Sequence, residues 1–122
     1  MSNGESELPV SKYPVSPFKI AETIQGLMDQ LPPRRLKGNL TYENVIKYYI
    51  EEMPHEFGVK CGVCLHQKRK KHFSFVQVFL FDSGNLVMRS DSRIYGRLLE
   101  IDGFDEELSE AFGNFNVLFL ES

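Results

Sequence analysis

Apolar residues recur at helical spacing in the first third of the chain. Between Ile20 and Leu31 they stand three or four positions apart, and Pro17 suits the first turn of a helix, where its missing backbone donor is not needed. The proline pair that follows then interrupts helical hydrogen bonding. The pattern predicts a helix over residues 17–31.

A second helix is predicted after a short basic connector. Thr41 offers a side-chain oxygen that caps a helix start, and apolar residues at the same spacing follow from Tyr42 to Met53. Pro54 ends this segment because proline cannot continue the helical hydrogen bonds. The two matched apolar stripes indicate a pair of helices that covers a sheet.

The middle of the chain changes from helical to strand-like patterns. Residues 59–65 alternate between apolar and polar side chains, as in a half-buried strand. Residues 73–81 are apolar on both faces apart from two polar positions, as in a central strand that is covered on both sides. A turn at residues 82–85 then leads into a return strand at 86–88, which predicts an antiparallel hairpin.

The C-terminal part mixes helix and strand signals. Capping residues precede two short helical segments, 94–101 and 106–112, of which the first contains the helix-weakening Gly96. Residues 115–120 form a final apolar strand. The predicted fold class is therefore α+β: an antiparallel sheet of about four strands with two N-terminal helices and one or two short C-terminal helices, in the order ααβββ(α)αβ.

Length and composition favour one folded domain. A chain of 122 residues and 14.1 kDa can bury a sizeable core without disulfide or metal staples, and 42% of its residues are hydrophobic. We expect a single α+β domain over residues 16–122. Residues 1–15 carry Gly4, Pro9 and Pro14 among small polar residues, which predicts a disordered arm.

The overall charge narrows the classes of partner. A formal net charge of −3 gives no long-range attraction to nucleic acid or to an anionic membrane, so such binding needs a local patch. The N-terminal residues lack the pattern of a secretory signal, and no run approaches the ~18 apolar residues of a membrane span. We therefore expect an intracellular, cytoplasmic protein that does not associate with membranes.

The first candidate for chemistry is the pair Cys61 and Cys64, which with His66 provides the residue types of a small zinc site. Zinc or dithiol chemistry requires the chain to turn between the two thiols. The strand pattern instead places residues three apart on opposite faces. We interpret the thiols as packing residues and predict no cofactor, with zinc binding through these three side chains as an alternative.

A compact basic cluster lies between two predicted strands, where a hairpin tip would project it into solvent. A second basic group precedes the second helix. Such cations either bind phosphates in a salt-sensitive manner or solubilise a turn and protect a sheet edge. The basic residues predicted to bind a partner or nucleic acid are Arg34, Arg35, Lys37, Lys68, Arg69, Lys70 and Lys71.

Acidic residues concentrate in the C-terminal third, and together with the basic cluster they favour self-association or a charged partner. The sequence contains no phosphate-binding loop, zinc-protease helix or nucleophile motif. The leading prediction is a non-enzymatic binding or regulatory module that acts through protein–protein contacts. Nucleic-acid binding through the basic cluster and zinc binding are the alternatives.

Overall fold

The computed structural model describes residues 17–121, which form α-helices, a 3-10 turn and the strands of one sheet. The predicted arm at residues 1–15 lies outside the described residues. The elements, in chain order, are α1 Pro17–Leu27, the 3-10 turn η1 Met28–Gln30, β1 Pro33–Leu40, α2 Tyr42–Glu52, β2 Val59–Lys68, β3 Phe73–Phe81, β4 Gly96–Phe104, α3 Glu106–Phe112 and β5 Val117–Glu121.

The sheet is mixed and has five strands in the order β1-β4-β3-β2-β5. Strands β4, β3, β2 and β5 pair antiparallel with their neighbours, whereas β1 joins the edge of the sheet parallel to β4. The α+β class is therefore confirmed, whereas the prediction of an antiparallel sheet of about four strands holds only in part, because β1 adds a fifth strand and pairs parallel.

Two segments account for this difference. The basic connector after the first helix is strand β1, and the segment expected to be a short helix from residue 94 is largely strand β4. Gly96 lies so close to β3 that a Cβ atom there would come within 2.3 Å of the Gln77 carbonyl oxygen. A strand contact across the chain therefore overrides the local helical preference of this segment.

The turn after β3 is as expected, since Gly84 has a φ of 89°. The return segment 86–88, however, does not form a ladder strand. It makes only isolated bridges, from Leu86 to Leu80 and from Met88 to Ile94. The long antiparallel partner of β3 is β4 instead.

The sheet separates two hydrophobic cores. We call the side of the sheet that packs against α2 and α3 the α2 face, and the opposite side the α1 face. Phe75 and Phe79 of β3 belong to the core on the α2 face, whereas Val76 and Val78 belong to the core on the α1 face. The apolar character of β3 on both sides follows from this central position.

The helix starts are held by side-chain caps. Thr41 Oγ1 accepts a hydrogen bond from the Asn44 amide at 3.0 Å, as the sequence predicts. Asp105 Oδ1 accepts from the Leu108 amide at 2.9 Å and also from the Tyr42 amide at 3.1 Å. One carboxylate therefore caps the first turns of both α2 and α3 and ties the end of β4 to both helices.

Candidate functional site

The hairpin between β2 and β3 carries the basic cluster at its end. Lys68 is the last residue of β2, and the following turn is closed by a hydrogen bond from the Arg69 amide to the His72 carbonyl at 2.8 Å. All four residues of the segment 68–71, which we call the basic turn, are exposed to solvent. The structure thus places these cations together at one end of the sheet.

Beside the basic turn, on the α1 face, lies an open cleft of about 560 Å³, which we call the turn cleft. One wall comes from η1 and the start of β1, the other from the basic turn, and the floor comes from β3 and β4. The residues around it are Met28, Asp29, Leu31, Pro33, Arg69, Lys70, His72, Ser74, Leu98 and Glu100. The cleft therefore combines cationic, acidic and apolar side chains.

The polar groups of the turn cleft are partly bonded to one another. His72 Nε2 lies 3.4 Å from Glu100 Oε2, and Arg69 Nε donates to Ser74 Oγ at 3.0 Å. Ser74 is thus bonded to Arg69, whereas the carboxylate of Glu100 contacts His72. This is a different arrangement from the nucleophile–base–acid chain of a hydrolase.

On β1, the side chain of Arg35 bonds to carboxylate and carbonyl oxygens. Its guanidinium forms an ion pair with Asp102 and donates to the Glu100 carbonyl oxygen at 3.0 Å. The amide of Gly38 also donates to Asp102, at 2.7 Å. The bond from Arg35, followed by the bond from Gly38, lowers the pKa of Asp102. The charge of Arg35 is therefore largely offset.

The remaining predicted cations are divided between two regions. Arg34 pairs in register with Leu99, which faces α2, so Arg34 lies on the α2 face and not beside the turn cleft. Lys68 Nζ lies 4.9 Å from the centre of the Phe73 ring. Among the described residues, no carboxylate lies within ion-pair distance of the exposed cations Arg34, Lys37, Lys68, Lys70 and Lys71.

A further arginine that sequence reasoning did not identify is half-buried on the α2 face. Arg97 donates through Nε and Nη2 to Gln77 Oε1, at 3.1 and 2.8 Å, and through Nη2 to Asn44 Oδ1 at 3.0 Å. Its guanidinium carbon lies 4.1 Å from the centre of the Tyr48 ring. Burial is the main cause that lowers the pKa of Arg97. We call these four residues the arginine cluster.

The sequence signal for the arginine cluster is weak but present. Gln77 is a polar residue in the most apolar strand of the chain, and it is fully buried. A buried carboxamide requires hydrogen-bond partners, so its position pointed to a polar neighbour. Sequence alone does not identify this neighbour. It is Arg97, which stands opposite Gln77 in the pairing of β3 with β4.

The candidate zinc ligands are not brought together. Cys61 belongs to the core on the α1 face and Cys64 to the core on the α2 face, and both side chains are 0% exposed. Burial raises the pKa of the Cys64 thiol well above its usual range. Within residues 17–121, no group of three or more histidine, cysteine or acidic residues has a metal-binding arrangement.

His66 lies instead among aromatic rings on the α2 face. Its ring centre is 4.5 Å from that of Phe112 and 4.9 Å from that of Phe104. Burial lowers the pKa of His66, and a hydrogen bond with the backbone of Phe115 acts in the opposite direction. His66 is therefore packed among aromatic rings in surroundings that disfavour its charged form.

The fold and its surface define a small α+β domain with a basic turn, a cleft beside it and an arginine cluster on the other face. Comparison of the chain with protein-family models, with curated proteins and with solved structures found no match. None of the helices within residues 17–121 has the length and apolar character needed to cross a membrane.

Proposed function

We propose that the protein is a non-enzymatic binding module that takes an acidic segment of a partner protein in the turn cleft. The observation that carries this proposal is the juxtaposition of exposed cations with apolar side chains in the lining of one cleft. Lys70 and Arg69 stand at the rim, while Met28, Leu31 and Leu98 lie below them. Such a site recognises a carboxylate and an adjoining apolar side chain together.

The dimensions of the turn cleft support a short peptide as its occupant. A volume of about 560 Å³ falls in the range of sites that bury several side chains or a small ligand. The cleft is open to solvent along the basic turn, so an extended segment can enter without displacing an element of the fold. The bound segment would place an apolar anchor on Leu98 and its acidic residues along the rim.

The acidic residues of the cleft favour a peptide over a nucleic acid. Asp29 and Glu100 line the cleft, and Asp102 forms an ion pair with Arg35 of β1. A phosphate backbone that ran from the basic turn to β1 would have to pass these carboxylates. The same carboxylates also oppose an acidic peptide, but a peptide can confine its charges to the rim at Lys70 and Arg69 and present an apolar side chain to the rest of the cleft.

A second candidate function is nucleic-acid binding, and one observation favours it. Lys68, Lys70 and Lys71 are exposed on one turn, and no carboxylate among the described residues lies within ion-pair distance of them. Arg34 and Lys37 extend the positive charge to the edge strand. This function predicts an affinity that falls steeply with salt, because each phosphate contact releases counterions.

The proposal is tested by fluorescence anisotropy with a labelled ten-residue peptide of alternating glutamate and serine around one central leucine. We expect binding in the range of roughly 10 μM to 1 mM and a loss of about tenfold in the variant Lys70→Glu. Lys47→Glu, which makes the same charge change on an exposed position of α2, serves as the matched control and should bind as the wild type does.

Two companion probes separate the apolar and electrostatic parts of the proposal. A peptide with serine in place of the central leucine should bind more weakly, and a peptide with lysine in place of glutamate should not bind. Equal binding of all three peptides, or equal losses in Lys70→Glu and Lys47→Glu, would refute the proposal. Tight, strongly salt-dependent binding of a labelled single-stranded oligonucleotide, with no binding of the acidic peptide, would establish the second candidate instead.

A further inference from the structure

The arginine cluster contains a half-buried positive charge that no carboxylate neutralises. Among the described residues, no acidic side chain lies within ion-pair distance of Arg97. Glu52, one turn beyond Tyr48 on α2, influences Arg97 only through space. A cation removed from water normally has a charged partner, because its lost hydration is otherwise uncompensated. Instead of a carboxylate, Arg97 contacts the carboxamide groups of Gln77 and Asn44 and the ring of Tyr48.

The orientation of the guanidinium is set by its neighbours. Gln77 Nε2 donates to the Val45 carbonyl oxygen at 3.0 Å, which turns Gln77 Oε1 towards Arg97. Asn44 Oδ1 accepts from the same Nη2 atom, and Tyr48 covers one face of the group. The Nε and Nη2 atoms are therefore engaged, whereas Nη1 has no hydrogen-bond partner among the described residues.

A second arginine stands on the same face of the sheet. Arg34 is paired in register with Leu99, and Arg97 is two residues before Leu99 on the neighbouring strand. Side chains two positions apart on a strand share a face. Burial is the main cause that lowers the pKa of Arg97, and the positive charge of Arg34 acts in the same direction. An anion between them would relieve both the repulsion and the lost hydration of Arg97.

We propose that Arg97 and Arg34 form a binding site for an oxyanion, such as a phosphate or a carboxylate group, on the α2 face. The Nη1 edge of Arg97 supplies the oriented contact, and Arg34 supplies the second charge from the exposed edge strand. Guanidinium groups match the spacing of two oxygens on such anions, and they retain their charge when partly desolvated. This site is separate from the turn cleft, which lies on the α1 face.

Thermal unfolding with inorganic phosphate or acetate, with sodium chloride keeping the ionic strength constant, tests this site. We expect Tm to rise with the logarithm of the anion concentration above the Kd, by about 5 °C at ten times the Kd of the bound anion. Phosphate also stabilises folded proteins nonspecifically, so if only phosphate raises Tm and Arg34→Gln reduces that rise, the natural ligand carries a phosphate group. If acetate does so equally well, it carries a carboxylate.

Variants that retain the fold identify the residues that bind the anion. Arg34→Gln removes an exposed side chain, so the fold should persist while Kd for the anion rises about tenfold. Arg93→Gln, which removes another exposed positive charge, one that lies beside Asp91, should leave Kd unchanged. The NMR signals of the Arg97 Nε–H and the Asn44 side-chain amide should shift on titration with the anion.

Three results would overturn the inference. The first is that neither phosphate nor acetate raises Tm beyond the effect of chloride. The second is that Arg34→Gln binds the anion as tightly as Arg93→Gln does. The third is that the NMR signals of Arg97 and Asn44 do not move on titration. Each would mean that the arginine cluster serves only to lock α2 onto the sheet.

Discussion

Buried polar side chains in this protein are each bonded to a specific neighbour. Gln77 is bonded to Arg97 and to the Val45 carbonyl oxygen, and Ser74 is bonded to Arg69. No buried side-chain nitrogen or oxygen among the described residues lacks a hydrogen-bond partner. These hydrogen bonds limit the free-energy cost of burying the polar groups. The positions of Ser74 and Gln77 are those at which polar side chains are buried in the sheet.

His66 should make the stability of the protein depend on pH. Its folded pKa is lowered by burial, so the unfolded chain takes up a proton near pH 6.5 while the folded form resists it. The contribution of His66 to stability is complete above that pH and is lost as pH falls towards the lowered folded pKa. We expect Tm, measured by circular dichroism, to fall between pH 7.5 and pH 5.

The variant His66→Gln should flatten this pH dependence, because glutamine does not titrate. His55→Gln, which alters an exposed histidine, serves as the control and should keep the wild-type slope. Asp102 also has a lowered pKa, but its contribution is lost only below its unfolded pKa of 3.8, outside this window. Parallel slopes for all three proteins would contradict the assignment to His66.

At the scale of elements, the first turns of two helices depend on one carboxylate. Asp105 follows β4 directly, and its amide also donates to the Leu40 carbonyl oxygen at 2.9 Å at the end of β1. The ends of two parallel strands and the starts of α2 and α3 therefore meet at this residue. A cap that joins elements distant in sequence holds their relative positions as well as the helix ends.

Substitution of Asp105 by alanine should destabilise the protein by about 2 kcal/mol, because two helices lose a cap worth about 1 kcal/mol each. Thr41→Ala, which removes only the bond to the Asn44 amide, should cost about half as much. Asp105→Asn retains an acceptor oxygen and should lie between the wild type and Asp105→Ala. Urea unfolding measures all three, and a cost of Asp105→Ala no larger than that of Thr41→Ala would argue against the shared cap.

The elements also differ in how well local sequence predicts them. Helix α2 begins after Thr41 as expected, since its cap and its apolar stripe are local features. Strand β1 was not predicted, because prolines and exposed cations hide its alternation. Those same features are typical of an edge strand, which they protect against pairing with other chains. Its parallel pairing with β4 joins segments about 65 residues apart.

For the whole molecule, one sheet separates two cores that should unfold together. Cys61 reports on the core of the α1 face and Cys64 on the core of the α2 face, only three positions away along β2. Both thiols lie on β2, which is paired with β3 on one side and β5 on the other, so we expect their exposure to require the sheet to open. The two thiols should therefore be equally protected.

This cooperativity is measurable with the variants Cys61→Ala and Cys64→Ala, each of which leaves one thiol. Labelling with a thiol reagent at increasing denaturant gives an opening free energy for the remaining cysteine. We expect that value to agree within about 1 kcal/mol with the global unfolding free energy of the same variant. A much smaller value for Cys61 alone would show that α1 and its core open independently, against our expectation.

The candidate sites also differ in whether they are formed by residues adjacent in sequence or by residues far apart in sequence. The segment 68–71 was recognisable from sequence because the four cations are adjacent and stand between two strand patterns. The turn cleft was not recognisable, since its walls come from η1, the start of β1 and the basic turn, and its floor from β3 and β4. Arg97 was missed for the same reason: its partners Asn44, Tyr48 and Gln77 lie on α2 and β3.

The sequence by itself determined the α+β class, the two longer helices with the Thr41 cap, and the central strand β3. These features depend on periodicity and capping within a few residues, where propensity and pattern are informative. Only the tertiary structure decided the fifth strand, the parallel pairing of β1, the separation of Cys61 from Cys64 between two cores, and the environment of Arg97. The physical reason is that these features depend on strand pairing and burial between segments far apart along the chain, which no local pattern specifies.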